Sequence, residues 1–166
     1  MDLSGKVLVL PNICGIELVA TNTPTPSISP SLQPFYNTYV QNSTHQEGYV
    51  TPSKARFSET GKTTRAGIVY EQKLQLQFPS NDPLRNERIY EFIKVRYVYI
   101  KLSSGMVFYF GRNDYFQNSK PKIDITNNET TTQITYTIQS IQPIGFTNGS
   151  FDFELSEDFP INFFNL

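Results

Sequence analysis

The stretch AGIVYEQKLQLQF, residues 66–78, decides the fold class of this 166-residue chain. Its alternate positions differ in character: the apolar set is Ile68, Tyr70, Leu74, Leu76 and Phe78, and the polar set is Glu71, Lys73, Gln75 and Gln77. Successive side chains of a β-strand point to opposite faces, so each set lines one face. This alternation predicts an antiparallel strand with one face on a hydrophobic core and the other in water.

A helix pattern follows this strand and predicts a short helix from Pro83 to Lys94. Asp82 stands where a side chain can cap the unpaired amides of a helix. Pro83 occupies the first helical position, where proline is tolerated. Ile89 and Phe92 contribute to an apolar stripe along the same segment. We therefore expect one helix, flanking the β structure.

Two β-hairpins are predicted after the helix. In the first, Arg96–Leu102 and Met106–Gly111 flank the polar turn Ser103–Gly105, and alternate apolar residues match across the turn. In the second, Lys122–Thr126 and Thr132–Gln142 flank a turn rich in asparagine. A two-residue or slightly longer turn joins neighbouring antiparallel strands, so both hairpins extend an antiparallel architecture.

Three further segments are interpreted as strands: Lys6–Leu10, Gly15–Ala20 and Gly149–Leu155. The whole chain then has seven or eight strands and one helix, with turns at the intervals typical of β-sandwiches. Its length fits one domain. We therefore predict a single mainly β domain over residues 1–166, an antiparallel β-sandwich or barrel with one short flanking helix.

Two segments do not fit this compact architecture. Thr21–Thr60 begins with a Thr-, Ser- and Pro-rich stretch, and its prolines remove amide donors that a central strand needs. Long stretches without periodicity are often functional arms, so an extended arm is predicted over residues 21–60. The C-terminal tail, residues 159–166, is so hydrophobic that its own domain or a neighbour must cover it.

The loop Arg112–Asn118 has two interpretations. Its Asn and Asp side chains are suited to satisfying the loop's own backbone. Its Arg and aromatic side chains are also residue types enriched at interface hot spots. The residues predicted to contact other protein are Phe35, Tyr36 and Tyr39 of the arm, Arg112, Tyr115 and Phe116 of the loop, and Phe159, Phe163 and Phe164 of the tail.

The sequence contains no recognisable catalytic, metal-binding or cofactor-binding motif. His45 is the single histidine, in a polar segment, and Cys14 is the single cysteine, among apolar residues that favour a buried packing thiol. A net charge of −1 offers no field to attract nucleic acid, and no apolar stretch is long enough to span a bilayer. We therefore expect no enzyme activity, cofactor, metal or small-molecule substrate, and no membrane or specific nucleic-acid partner.

From Ile68 to Phe146 the predicted order is alternating strand, capped helix, aromatic hairpin, the loop Gly111–Asp114, and the strand Ile134–Ile141. This order resembles small β-rich virion proteins of tailed bacteriophages, particularly of crAss-like phages. The resemblance implies a structural virion protein that forms a homo-oligomeric ring, collar or tube element of the tail or the head-tail connection. Its partners would be copies of itself and neighbouring virion proteins. Its location would be the phage tail or neck, after assembly in the host cytoplasm.

A carbohydrate- or receptor-binding β-sandwich module is the alternative. Tyr and Phe side chains scattered over a β domain can form a sugar-binding platform, although Trp, the usual mainstay of such platforms, is absent. Glycan binding that is lost when an exposed tyrosine is replaced by Ala would favour this alternative.

Overall fold

The computed structural model describes residues 12–20, 45–113, 117 and 119–147. This part contains one α-helix, a 3-10 turn at Pro52–Lys54 and nine β-strands. In chain order the elements are β1 (Ile13–Val19), β2 (His45–Glu47), β3 (Arg56–Thr64), β4 (Gly67–Pro79), α1 (Arg85–Ile93), β5 (Tyr97–Leu102), β6 (Val107–Phe110), β7 (Lys122–Asn127), β8 (Thr131–Ser140) and β9 (Gly145–Thr147).

The strands form two antiparallel sheets, which confirms the prediction of a mainly β, sandwich-like domain with one short helix. One sheet has five strands in the order β2-β1-β5-β6-β9, and the other has four in the order β3-β4-β8-β7. The hairpins β3–β4 and β7–β8 build the four-stranded sheet, whereas β5–β6 lies in the five-stranded sheet. The segment that contains α1 carries the chain from one sheet to the other.

Apolar side chains between the two sheets form the main core. From β4, Leu74, Leu76 and Phe78 are each 0% exposed, which confirms their predicted place on the core face. The other buried members are Ile16, Leu18, Ala55, Phe92, Val95, Val98, Ile100, Leu102, Phe110, Ile134, Tyr136 and Ile138. Both predicted hairpins supply residues to this layer, which confirms their predicted apolar faces except at Met106, whose side chain is 43% exposed.

A second buried cluster lies on the other face of the five-stranded sheet. We call it the tyrosine face; its members are Val19, Tyr97, Tyr99, Val107 and Tyr109. They alternate along their strands with residues of the main core and therefore point away from the four-stranded sheet. β5 is thus buried on both faces, although its sequence pattern predicts one apolar face only.

The C-terminal end of α1 is anchored in the core. The Phe92 ring stacks on Phe78, with centroids 5.8 Å apart and an interplanar angle of 12°. The Tyr136 hydroxyl donates a hydrogen bond of 2.7 Å to the carbonyl oxygen of Phe92. Burial raises the pKa of the Tyr136 phenol well above its ordinary value, so the hydroxyl remains a donor through the neutral pH range.

The N-terminal end of α1 starts at Arg85 rather than at the predicted Pro83. Asp82 Oδ1 accepts the Leu84 N–H at 2.9 Å, and the Asp82 carbonyl accepts the Arg85 N–H at 3.0 Å. The Leu84 amide, assisted by the Arg88 guanidinium, holds the pKa of Asp82 below its ordinary value. Asp82 therefore stabilises the turn before the helix, and Leu84 occupies the cap position.

The predicted arm over residues 21–60 is wrong at its C-terminal end. Residues 45–60 include β2, the 3-10 turn and most of β3. β3 pairs along its whole length with β4, from Arg56 opposite Gln75 to Thr64 opposite Gly67. Phe57 is the single large apolar side chain of β3, so no alternation marked it as a strand. The short strand β9 also escaped prediction.

Several predictions lie outside the described residues. They are the strands Lys6–Leu10 and Gly149–Leu155, the rest of the arm, residues 21–44, and the tail, residues 159–166. These stay predictions.

Cys14 is exposed, so the prediction of a buried packing thiol is wrong. The pairing of β1 with β5 changes register between Ile13 and Gly15, and this irregularity displaces Cys14 from the core-facing row. Its Sγ lies 3.4 Å from the carbonyl oxygen of Lys101.

Replacing Tyr136 with Phe is expected to lower the free energy of unfolding by about 1 kcal/mol at neutral pH, because the buried Phe92 carbonyl loses a donor. Tyr90→Phe is the matched control. Tyr90 lies on α1, the helix that carries Phe92, but its side chain is 60% exposed. Denaturant titration of the two variants and the wild type measures the difference. Equal losses in both variants would show that the Tyr136 hydrogen bond contributes nothing.

The stability difference between the wild type and Tyr136→Phe depends on pH. The folded-state pKa of Tyr136 is raised, so its contribution is fully present below the unfolded-state pKa of about 10 and is lost as the pH rises above that value. The Tyr136→Phe variant has no hydroxyl at this position and therefore shows no such loss. The stability gap between wild type and Tyr136→Phe should therefore narrow above about pH 10.

Candidate functional site

The end of the β3–β4 hairpin projects beyond the rest of the four-stranded sheet. β4 pairs with β3 as far as Gly67, whereas its pairing with β8 ends where Tyr70 lies opposite Ser140. Residues 62–69 therefore form a two-stranded ladder with no third described strand beside it, and Thr60 and Gly61 lie at its base. We call residues 60–69 the projecting hairpin.

The side chains of the projecting hairpin are exposed from Thr60 to Ile68. Ile68 is 50% exposed, so the prediction that it shares the buried face of β4 is wrong. That row of β4 reaches the core only where β8 lies alongside. A branched apolar side chain in this position gains free energy when another surface covers it.

Thr64 and a glycine shape the tip of the projecting hairpin. Thr64 Oγ1 accepts the Ala66 N–H at 3.2 Å and donates to the Gly67 carbonyl oxygen at 2.8 Å. Gly67 has a φ of +124°, a conformation that side chains disfavour. These local interactions give the tip a defined shape without support from the core.

The projecting hairpin is positively charged, although the chain carries a net charge of −1. Lys62 and Arg65 are its charged side chains, and residues 60–69 contain no Asp or Glu. At the base, the Tyr70 ring lies so close to Gly61 that a Cβ on this glycine would stand 3.3 Å from it. The hairpin therefore presents cations, hydroxyls and Ile68 on a base braced by Tyr70.

β3 is an edge of the four-stranded sheet. Among the described residues its backbone pairs with β4 alone. Its nine residues include no proline, so half of its backbone N–H and C=O groups point outward and can pair with a further strand. Addition of a strand to such an edge is a common mode of protein recognition.

An open cleft of about 780 Å³ lies at the other end of β3. The apolar part of its lining comprises Ile13, Ala55, Phe57, Leu102 and Phe108, and Arg56 and Cys14 also line it. The Phe57 and Phe108 rings lie with centroids 5.8 Å apart. The first residues of β3 thus line the cleft, while its last residue, Thr64, belongs to the tip of the projecting hairpin.

Arg112 is the predicted contact residue that falls within the described part of the chain, and it is only 4% exposed. Its guanidinium carbon lies 5.8 Å from the centroid of the Tyr109 ring. Arg112 therefore lies against the border of the tyrosine face. The other predicted contact residues lie outside the described residues and stay predictions: Phe35, Tyr36, Tyr39, Tyr115, Phe116, Phe159, Phe163 and Phe164.

The beginning of the Arg112–Asn118 loop is fixed by hydrogen bonds within the domain. Arg96 donates to the Gly111 carbonyl oxygen at 2.7 Å and to Asn113 Oδ1 at 3.3 Å. Asn113 Oδ1 also accepts the Ser119 N–H at 3.1 Å. At Asn113 these bonds agree with the interpretation in which the loop's polar side chains satisfy its backbone.

A groove of about 470 Å³ runs beside α1. Its lining combines Tyr90, which is 60% exposed, with the polar side chains Gln46, Glu87, Glu91 and Lys94. Gln46 Nε2 donates to Glu91 Oε1 at 2.8 Å, and the Lys94 ammonium lies 3.9 Å from the centroid of the Tyr90 ring. An exposed ring among amide and carboxylate groups is chemically suited to a polar ligand.

The projecting hairpin was not predicted, because the predicted arm ended at Thr60 and the predicted strand began at Ala66. The stretch TGKTTRAG, residues 60–67, holds the turn-forming signal that could have located it. How far the hairpin extends past the sheet depends on where β8 ends, which no local pattern shows.

Two further findings concern the described residues only. No group of three or more His, Cys, Asp and Glu side chains among them could hold a metal ion. None of their helices has the length and apolar character needed to cross a membrane.

Replacing Gly111 with Ala is expected to destabilise the domain by roughly 2–3 kcal/mol, combining backbone strain with a steric clash. Gly111 has a φ of +102°, and a Cβ there would stand 2.8 Å from the Arg96 carbonyl oxygen. Gly105→Ala is the matched control, because Gly105 has a φ of +84° but no atom within 4 Å of its Cβ position. The control should lose only the backbone part, about 1–2 kcal/mol. Equal losses on thermal or denaturant unfolding would contradict a close approach at Gly111.

Comparison of the chain with protein-family models, curated proteins and solved structures finds no match.

Proposed function

We propose that this chain is a structural virion protein of a tailed bacteriophage, and that copies of it assemble into a ring, collar or tube element of the tail or the head-tail connection. The virion setting rests on the resemblance of the element order over residues 68–146. The self-assembly rests on the projecting hairpin, which is the observation that carries the proposal.

The projecting hairpin gains stability from association. A two-stranded ladder is only marginally stable in water without a third strand or a packed face. Here Ile68 is 50% exposed, and Lys62 and Arg65 extend from the same tip. A neighbouring subunit that covers Ile68 and pairs with the outward edge of β3 would supply both missing contributions.

The two ends of β3 favour a head-to-tail arrangement. Closed rings are built from heterologous interfaces, in which one surface of each subunit meets a different surface of the next. The projecting hairpin stands at the end of β3, and the apolar cleft lies at its start. A protrusion and a cleft at opposite ends of one strand are the two different surfaces that such an interface requires.

The test compares Ile68→Asp with Ile93→Asp in the full chain. Both residues are exposed isoleucines, at 50% and 46%, but Ile93 lies on α1. Light scattering and negative-stain imaging should show rings or larger assemblies for the wild type and Ile93→Asp. Ile68→Asp should need a roughly tenfold or higher concentration to assemble. Covering the exposed half of Ile68 is worth about 1 kcal/mol, and an unpaired carboxylate buried in its place adds a further cost.

Two outcomes would overturn the proposal. A wild-type chain that stays monomeric at every concentration and joins no virion assembly would contradict the structural role. Assembly of Ile68→Asp at the wild-type concentration would show that the projecting hairpin is not part of the interface.

A carbohydrate- or receptor-binding module is the second candidate, and the groove beside α1 is the observation that favours it. Sugars bind through stacking on an exposed ring together with amide and carboxylate hydrogen bonds, and Tyr90, Gln46 and Glu87 offer both at one place. The Lys94 ammonium near one face of the Tyr90 ring competes with such stacking.

Tyr90→Ala should abolish glycan-array binding if the groove is a sugar site. Tyr49→Ala is the control, because Tyr49 is 44% exposed and does not line the groove. An array on which the wild type binds no glycan would dismiss this second candidate for carbohydrates.

A further inference from the structure

The four-stranded sheet has two edge strands, β3 and β7. In the order β3-β4-β8-β7, each of them has one neighbouring strand among the described residues. Their sequences, RFSETGKTT and KIDITN, contain no proline, and their registers with β4 and β8 run without a bulge. Proline and bulges are devices by which proteins block the edge of a sheet. Neither device prevents a further strand from pairing with β3 or with β7.

The hydrogen bonds of β7 show which of its residues direct their backbone outward. The Asn128 N–H donates to the Thr131 carbonyl oxygen at 3.0 Å, in the turn that joins β7 to β8. Residues of an antiparallel pair alternate between hydrogen-bonded and non-hydrogen-bonded positions. The same register continues along β7, so the backbone of Asp124 bonds to β8. Ile123 and Ile125 therefore direct their N–H and C=O groups away from the sheet.

The backbone of β3 alternates in the same way. The Ser80 N–H donates to the Thr130 carbonyl oxygen at 3.0 Å, one step beyond the last pair of β4 with β8. Even-numbered residues of β4 therefore bond to β8, and odd-numbered residues such as Gln75 bond to β3. Gln75 lies opposite Arg56, so the backbone of the next residue, Phe57, points outward. Every second residue of β3 after Phe57 points outward as well.

On both edges, the apolar residues whose backbone points outward have side chains that face the core. Phe57, Ile123 and Ile125 are partly buried and pack against the main core. Two residues that exchange hydrogen bonds across an antiparallel pair have their side chains on the same face. Pairing of β3 with β7 of another copy therefore sets Phe57 beside Ile123 or Ile125 and removes more of these side chains from water.

The directions of the two edge strands also suit such a pairing. Each neighbouring pair in the four-stranded sheet is antiparallel, so β3 and β7, the first and last of four strands, run in opposite directions. When two copies lie side by side in the same orientation, β7 of one is antiparallel to β3 of the next. The two edges are different surfaces, so this contact is heterologous and can be repeated from copy to copy. Pairing of β3 with β3 would use one edge twice and stop at a dimer.

We infer that β3 of one copy pairs antiparallel with β7 of the next copy, with Phe57 opposite Ile123 and Arg56 opposite Asp124. Among the registers that the backbone allows, this one combines opposite charges on the polar face with apolar contacts on the core face. The four-stranded sheets of successive copies then form one continuous sheet. This inference rests on the proposed self-assembly and names the surface that meets the outward edge of β3.

Disulfide crosslinking between full-length variants tests the inference, with Cys14→Ser as the background. The inferred register sets Ser58 opposite Lys122 at a non-hydrogen-bonded position, where Cα atoms lie about 4.5 Å apart, within reach of a disulfide. Ser58→Cys and Lys122→Cys are therefore purified separately, mixed, brought to the concentration at which light scattering shows assembly, and oxidised. Both positions are exposed, so the substitutions leave the core intact.

Lys73→Cys, mixed with Ser58→Cys, is the matched control. Lys73 is also an exposed lysine on the polar face, but it lies on the central strand β4. In the inferred arrangement three strand spacings, roughly 14 Å, separate it from β3 of the next copy, too far for a disulfide. The Lys122→Cys mixture should give roughly tenfold or more crosslinked dimer than the control mixture, and no single variant should crosslink with itself.

The remaining outcomes overturn the inference in distinguishable ways. A mixture that assembles but does not crosslink Ser58→Cys to Lys122→Cys would contradict the edge pairing and leave the proposed self-assembly standing. A chain that does not assemble at all would contradict both. Crosslinking of Ser58→Cys with itself would show that β3 pairs with β3, and equal crosslinking to Lys73→Cys would show random collision.

Discussion

The antiparallel register of β4 with β8 determines where the rest of the domain can lie. It places Leu74 opposite Tyr136 and Leu76 opposite Ile134, so both central strands of the four-stranded sheet send the same row of side chains into the core. A slip of one residue would turn these rows to solvent. α1 and the five-stranded sheet both pack on this row of side chains. The register of β4 with β8 therefore determines which surface of the four-stranded sheet they contact.

The segment that connects β4 to β5 packs on the same row of side chains. Phe78 ends the apolar row of β4 and receives the Phe92 ring, while Tyr136 of β8 binds the Phe92 carbonyl. α1 is thereby held where the chain must turn toward the five-stranded sheet. Arg96 follows at once, donating its backbone N–H to the Val19 carbonyl at 2.8 Å and its side chain to the Gly111 carbonyl. Residues 92–96 thus connect α1 to the five-stranded sheet and to the loop that begins at Gly111.

Much of this architecture could be predicted from the sequence where the pattern was local. β4 alternates strictly, and both hairpins show apolar residues that match across a turn. β3 could not be found this way, because Phe57 is its single large apolar residue and its partner strand provides its hydrogen bonds. β5 was recognised, but its tyrosines were not assigned to a second buried face, since tyrosine is compatible with both water and core. Cys14 was misplaced because a register shift is a property of the strand pair.

The candidate sites depended even more on the assembled fold. The projecting hairpin exists because β8 ends at Ser140 while β3 and β4 continue, and the groove beside α1 combines Gln46 with Glu91 across a wide sequence separation. Of the aromatic and arginine residues singled out by type, Arg112 can be placed, and it lies at a buried border. Residue type indicates what a surface could bind, but only the fold decides which residues are on a surface.

The pairing of β1 with β5 has a consequence for how the chain must fold. These strands are adjacent in the sheet, but β2, β3, β4 and α1 separate them in sequence. Closing so long a loop costs more conformational entropy than closing any of the three hairpins, whose strands follow one another directly. The three hairpins can therefore close locally, whereas the pairing of β1 with β5 has to close a loop that contains four other elements.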